Sequence, residues 1–296
     1  MSPTVRVLFF VAGCAAVFAA ALGVGRLVGP VASEPAEAVG HGMGADTEDG
    51  TGDEMAGMTH HDVGGLEATA DGYTMRLASD RLDAGPQQVA FTVTGPDGHP
   101  VTAYDEQHER DLHLIVVRRD LTGFQHVHPE LDPSTGEWST SVDLTPGAWR
   151  VLADFRPTGG EPLVLGTDLL VTGAFAPEPL GPDRLDARVD DFDVTLTGDL
   201  TAGADTLLTA NLTRHGEPVT DLQPYLGAYG HLVSLRDGDL AYLHVHPDED
   251  TGPGPAIAFH TEFPAPGRYR LFLDFRHGDT VRTAAFTVTV EGGHDH

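Results

Sequence analysis

From residue 66 onward the chain is a series of short apolar stretches in which hydrophobic and polar positions often alternate, broken by Gly, Pro and Asp. Alternation at period two marks strands with one buried face. In the first half it predicts strands over 73–78, 87–94, 112–119, 124–128, 137–143, 148–155 and 163–172. No segment outside the amino terminus keeps a convincing helical period. Seven strands in about 105 residues is the pattern of an immunoglobulin-like sandwich.

The pattern then recurs. Gly98-His99-Pro100-Val101-Thr102 matches Gly216-Glu217-Pro218-Val219-Thr220, and His126-Val127-His128-Pro129 matches His244-Val245-His246-Pro247, both at an offset of 118. PGAWRVLADFR (146–156) matches PGRYRLFLDFR (266–276) at an offset of 120. That period is too long for a solenoid, so it denotes two tandem copies of one domain. Within the PG-x-[WY] element Trp149, Val151, Ala153 and Phe155 share one face, as do Tyr269, Leu271, Leu273 and Phe275, and both faces are expected in cores. The fold class expected is all-β, two tandem immunoglobulin-like β-sandwiches after an N-terminal transmembrane or signal helix. The divisions are an anchor or signal peptide in 1–33, a flexible acidic linker in 34–65, and sandwiches in 66–175 and 176–296, the second ending in a short histidine-containing tail.

Residues 7–25 are an apolar run flanked by Arg6 and Arg26. The run is long enough to span a bilayer, and the flanking charge orients the body outward. Val31-Ala32-Ser33 offers a signal-peptidase site, and Cys14 sits in a sequence resembling a lipobox. Every variant places the body outside the cytoplasm, at the cell membrane as a single-pass protein or secreted.

Composition narrows the chemistry. The 296 residues carry 45 acidic and 17 basic side chains, a net charge of -28, with one cysteine and 16 histidines. Such an acidic body repels phosphate backbones, which excludes nucleic acid as a partner. A single cysteine excludes an intramolecular disulfide and Cys-rich zinc sites, and leaves no Cys ligand for a blue-copper centre in the body.

The histidines are patterned. In the linker His60 and His61, with the nearby His41, accompany Met43, Met55 and Met58. Thioether and imidazole together suit copper, Met favouring Cu(I); the plain alternative is an acidic tether with incidental residues. In each sandwich an H-x-H places two imidazoles on one strand face. A hairpin turn near Asp120-Leu121 pairs residues whose numbers sum to 241, which sets His113 opposite His128. A turn near Gly238-Asp239 gives 477 and sets His231 opposite His246. His113, His126 and His128 then share a face, as do His231, His244 and His246. Three imidazoles on a hairpin suit Cu(II) or Zn(II), with a fourth ligand from Asp154, Asp274, water or a tether histidine. His108, His260, His277, His294 and His296 are nearby candidates. The plain alternative is a polar strand end with hydrogen-bonded histidines.

The segment VAFTVTGPDGHPVTAY resembles the start of YtkA/FixH-like domains, extracytoplasmic immunoglobulin-like modules associated with copper handling, and the architecture is similar to CopC-type periplasmic copper carriers. The HL…HVHP…PG-[YW]-R…DF pattern resembles actinobacterial secreted or membrane-anchored proteins. These resemblances imply extracytoplasmic copper handling. They carry no ligands across, because CopC-type carriers use an N-terminal histidine and Met-rich loops that have no counterpart in these sandwiches.

The leading expectation is a non-catalytic, membrane-anchored metal-binding protein, most simply for copper, with an unidentified protein partner. A tandem structural or adhesion module is one alternative. A histidine-metal hydrolase is another, although neither Gly-x-Ser-x-Gly nor His-Glu-x-x-His occurs.

Overall fold

The computed structural model describes residues 63–248 and 251–293. The apolar run at 7–25, the linker residues His41, Met43, Met55, Met58, His60 and His61, and the tail histidines lie outside them. Among the described residues no helix is long and apolar enough to cross a membrane.

The first sandwich runs β1 (Thr69–Ala70), β2 (Tyr73–Leu77), β3 (Arg81–Leu82), β4 (Gly85–Thr94), β5 (Tyr104–Asp105), β6 (Leu112–Arg118), β7 (Gln125–Val127), β8 (Glu130–Asp132), β9 (Glu137–Leu144), β10 (Gly147–Pro157) and β11 (Leu163–Val171). One sheet is ordered β1-β2-β4-β9-β8; the other is β3-β11-β10-β6-β7, with β5 also pairing β10. Taking β2, β4, β9 and β8 as strands A, B, E and D, and β6, β10 and β11 as C, F and G, this is the immunoglobulin arrangement with an added C′ strand.

The second sandwich runs β12 (Asp186–Val189), β13 (Phe192–Thr197), β14 (Asp205–Arg214), β15 (Glu217–Pro218), β16 (His231–Arg236), β17 (Tyr242–Pro247), β18 (Ala256–Glu262), β19 (Gly267–His277) and β20 (Thr280–Val290). Its strands form one path, β12-β13-β14-β18-β17-β16-β19-β20. β17 joins the two sheets: it pairs β16 through Tyr242–Val245 and β18 through His246 and Pro247. The seven strands expected from alternation in the first copy are all present.

The PG-x-[WY] element explains how each F strand begins. Trp149 and Tyr269 are buried in their cores. The Trp149 indole N–H donates to the Thr145 carbonyl at 2.8 Å, and the Tyr269 hydroxyl to the Ala265 carbonyl at 2.7 Å. Each ring thus packs inward while its polar atom ties down the chain four residues upstream, as in the tyrosine corner of immunoglobulin folds.

β6 is buried at every position. Leu112, Leu114 and Val116 face the core of their own sandwich. Ile115 and Val117 face the other way and join Leu121 and Leu152 against Val233, Leu235, Leu240, Tyr242 and Phe272 of the second sandwich. The two C-F sheet faces thereby make an apolar seam. Phe124 and Phe272 stack across it, with centroids 4.0 Å apart and planes 7° from parallel.

Two further devices fasten the seam. Gly64 exchanges backbone hydrogen bonds with Tyr242 at 3.2 and 3.1 Å, while the Gly65 N–H donates to the Val164 carbonyl at 3.0 Å. Buried Arg150 donates to the Gly65 and Leu66 carbonyls. A Cβ on Gly166 would lie 2.1 Å from the Gly65 oxygen, so this crossing requires glycine. At the other side Asp120 accepts from Arg118, from Thr122 and from the Glu178 backbone N–H in the connection between sandwiches.

Candidate metal centre

The histidine strands lie at one end of the seam. Leu114 pairs Val127, Ile115 pairs His126 and Val116 pairs Gln125, so the register sum is 241. In the second sandwich Leu232 pairs Val245 and Val233 pairs His244, a sum of 477. Both registers are those expected from the sequence. Because Ile115 faces the seam, positions 113, 126 and 128 face it as well.

Three ring nitrogens converge there. His113 Nδ1 lies 3.0 Å from His126 Nε2 and 3.2 Å from His128 Nε2. The three ligand atoms lie within 4.8 Å of one another. The ring centroids are 5.3, 5.0 and 5.0 Å apart. Two imidazoles on one ion with bonds of about 2.0–2.1 Å at a tetrahedral angle have centroids about 5.2 Å apart. The trio therefore has the spacing of a tetrahedral site with one face open.

The outer partners fix the tautomers. His113 Nε2 lies 2.9 Å from the Gln107 carbonyl, which only accepts, so that nitrogen carries the hydrogen. His126 Nδ1 donates to the Asp274 carboxylate at 2.9 Å. In these tautomers the inner nitrogens, His113 Nδ1 and His126 Nε2, present lone pairs to each other. A hydrogen on His128 Nε2 relieves its own contact with His113 but not the one between His113 and His126. A cation at the centre relieves both. Outer hydrogen bonds that hold imidazoles in the ligating tautomer are the usual support of a metal site.

Electrostatics favours a neutral His128 ring. Burial, then the neighbouring His126, His113, Arg110 and His231, push the His128 pKa down to about 2. Asp274 is 3% exposed and accepts from the Thr283 hydroxyl at 2.5 Å as well as from His126. Its ion-pair partner within reach is His126, at 2.9 Å. Solvent reaches the trio by an open cleft lined by Arg110, His126, Val127, His128, Pro129, Glu130 and Thr140.

The carboxylates differ from the sequence expectation. Asp274 is held by the outer nitrogen of His126, in the other sandwich. Asp154 accepts from the Tyr242 hydroxyl at 2.9 Å. Tyr242 is fully buried, and burial followed by the Asp154 charge raises its pKa well above the usual phenol value. Both carboxylates are tied across the seam. His231 is buried, and its Nε2 donates to the Tyr225 carbonyl at 2.7 Å, as His113 does to Gln107. For His244 and His246 only the backbone register is described. His260 pairs with Asp248 at 3.3 Å. His277 pairs with Asp221 at 3.2 Å and packs against Phe192, apart from the trio. His108, named from sequence only as a neighbour, lies between the sandwiches: its ring is 6.0 Å from His113 and 5.6 Å from His231.

A family model described as a domain of unknown function, DUF8832, matches the chain twice, over residues 68–169 and 187–292. The chain belongs to the DUF8832 family. The two DUF8832 matches fall on the two sandwiches, and the trio with its hairpin lies inside the first. No match is found among curated proteins. Among solved structures the chain is similar to a protein described as membrane-anchored from Corynebacterium diphtheriae, at 14% identity over 76% of this chain and 60% of that one, with a TM-score of 0.23. It is also similar to the FN1–FN3 domains of chicken CNTN1, at 8% identity, 73% and 66% coverage and a TM-score of 0.20. The titin domains Z1Z2 match at 13% identity, 75% and 98% coverage and a TM-score of 0.18. The chain spans less than two thirds of the first two.

Proposed function

We propose that this tandem DUF8832 protein is a non-catalytic metal-binding protein of the extracytoplasmic side, and that its ion is copper. The observation that carries the reading is the trio His113, His126 and His128, whose inner nitrogens converge, those of His113 and His126 being aimed by outer partners. Near-tetrahedral centroid spacing suits Cu(I) or zinc better than a square-planar ion. The methionines of the linker, Met43, Met55 and Met58, tip the choice to copper, with His60 and His61 completing a capture segment. The apolar run at 7–25 between two arginines supports attachment to the cell membrane, and the charge of -28 gathers cations at the surface.

The test is a competition titration of the purified chain with Cu(I), Cu(II) and Zn(II) against chromophoric chelators. Replacing His126 and His128 together by alanine is expected to abolish one equivalent of tight binding, a loss of at least about 100-fold in affinity, two of three ligands being gone. Unchanged stoichiometry refutes the site. Substituting Met43, Met55 and Met58 is expected to weaken Cu(I) capture while sparing Zn(II). Metal-dependent hydrolytic turnover by the loaded protein would replace the binding role with a catalytic one.

A further inference from the structure

The second sandwich repeats the supports of the first at the same seam. His231 stands opposite Asp274 in the sheet, as His113 stands opposite Asp154. It is 4% exposed, and its Nε2 hydrogen is committed to the Tyr225 carbonyl at 2.7 Å. The ligating nitrogen of His231 is then Nδ1, the same atom that His113 turns toward its partners. The loci adjoin: the His126 and His231 rings are 6.5 Å apart.

His108 is placed between them by an unusual turn. Gln107 and Arg110 exchange backbone hydrogen bonds at 2.8 and 3.0 Å, and the central residues have φ of 48° at His108 and 61° at Glu109. Two left-handed residues make a type I′ turn, which favours Asn-Gly and is strained by His-Glu. The matching turn of the second sandwich has Leu226 and Gly227 in these places, with φ of 55° and 77°. His108 therefore has no histidine counterpart in the repeat. Its ring lies 5.6 Å from His231, close to the spacing of about 5.2 Å for two imidazoles on one tetrahedral ion.

We infer that the seam holds a second metal ion beside the first, with His231 of one sandwich and His108 of the other among its ligands, so that the two copies form one two-ion centre. This rests on the reading of the first trio as a metal site. An ion lies about 3 Å from the centroid of each imidazole that binds it, so the two ions are no more than about 12 Å apart.

The experiment is a Cu(II) titration of the full chain followed by electron paramagnetic resonance. The wild type is expected to give dipolar broadening at saturation. His231→Gln should remove one equivalent and the broadening together. His108→Gly relieves the left-handed strain at that turn; it should weaken the second equivalent by tenfold or more and reduce the broadening. If both variants keep the wild-type stoichiometry and line shape while His126→Ala with His128→Ala removes an ion, the first site stands and the two-ion centre is overturned. If no substitution removes an ion, the reading of the trio itself has failed.

Discussion

Asp274 is the residue on which the first site turns, although it belongs to the second sandwich. By accepting the His126 Nδ1 hydrogen it selects the tautomer whose lone pair is on Nε2 and aims the ring. Asp274→Ala is expected to weaken metal binding at the trio by about 10–100-fold while the three ligands stay in place. Asp274→Asn, which keeps an acceptor oxygen, should lose less. A titration in which Asp274→Ala binds like the wild type would show that the outer partner is incidental. The histidine trio was legible in the sequence because two of its members are two residues apart and the third follows from the hairpin register. Asp274 was legible only as a candidate ligand, since spacing along a chain does not disclose which nitrogen of a ring a carboxylate 148 positions away will meet. His108 left a weaker signal: it lacks a histidine counterpart in the repeat, where Leu226 stands.

At the scale of elements, the turn after β6 carries a second prediction. Burial pushes the Asp120 pKa up, but hydrogen bonds from Arg118, the Glu178 backbone and Thr122, with the Arg118 charge, outweigh it and hold the pKa at about 2. A carboxylate with a pKa lower in the folded than in the unfolded state contributes stability above its unfolded value, and that contribution is lost as pH falls through the folded value. Thermal unfolding should therefore lose on the order of 2 kcal/mol between about pH 4 and pH 2 through this group, and Asp120→Asn should remove that part of the acid dependence. An unchanged acid profile in the variant would rule out the clamp. The long strands and both hairpin registers were legible because alternation and the H-x-H spacing fix faces as well as elements. The two-residue strands β1, β3, β5 and β15 were not, since two residues show no period.

At the scale of the molecule, the seam makes the two copies interdependent. Phe272 stacks on Phe124 and is 4% exposed. Phe272→Ala should cost about 3–5 kcal/mol. Because Asp274 and His231 approach the trio across the same seam, it should also weaken metal binding; unfolding in the wild-type range with unaltered affinity would mean the sandwiches act separately. The repeat pattern alone gives each copy its own histidine face, yet the sequence also carries a signal of their contact. LHLIVVR in β6 is apolar at five of its seven positions, the four from Leu114 to Val117 in a row, and the sandwich core accounts for only one face of it. A strand that is apolar on both faces needs cover on both, and here the second copy supplies it.

The central claim, that His113, His126 and His128 hold a metal ion, is tested most directly by X-ray absorption on the chain loaded with one equivalent of Cu(I). The account predicts a shell containing three imidazole nitrogens at about 2.0 Å, with their outer-ring scattering, lost on replacing His126 and His128 by alanine. A shell of thioether sulfur alone, or one that those substitutions leave unchanged, would contradict it.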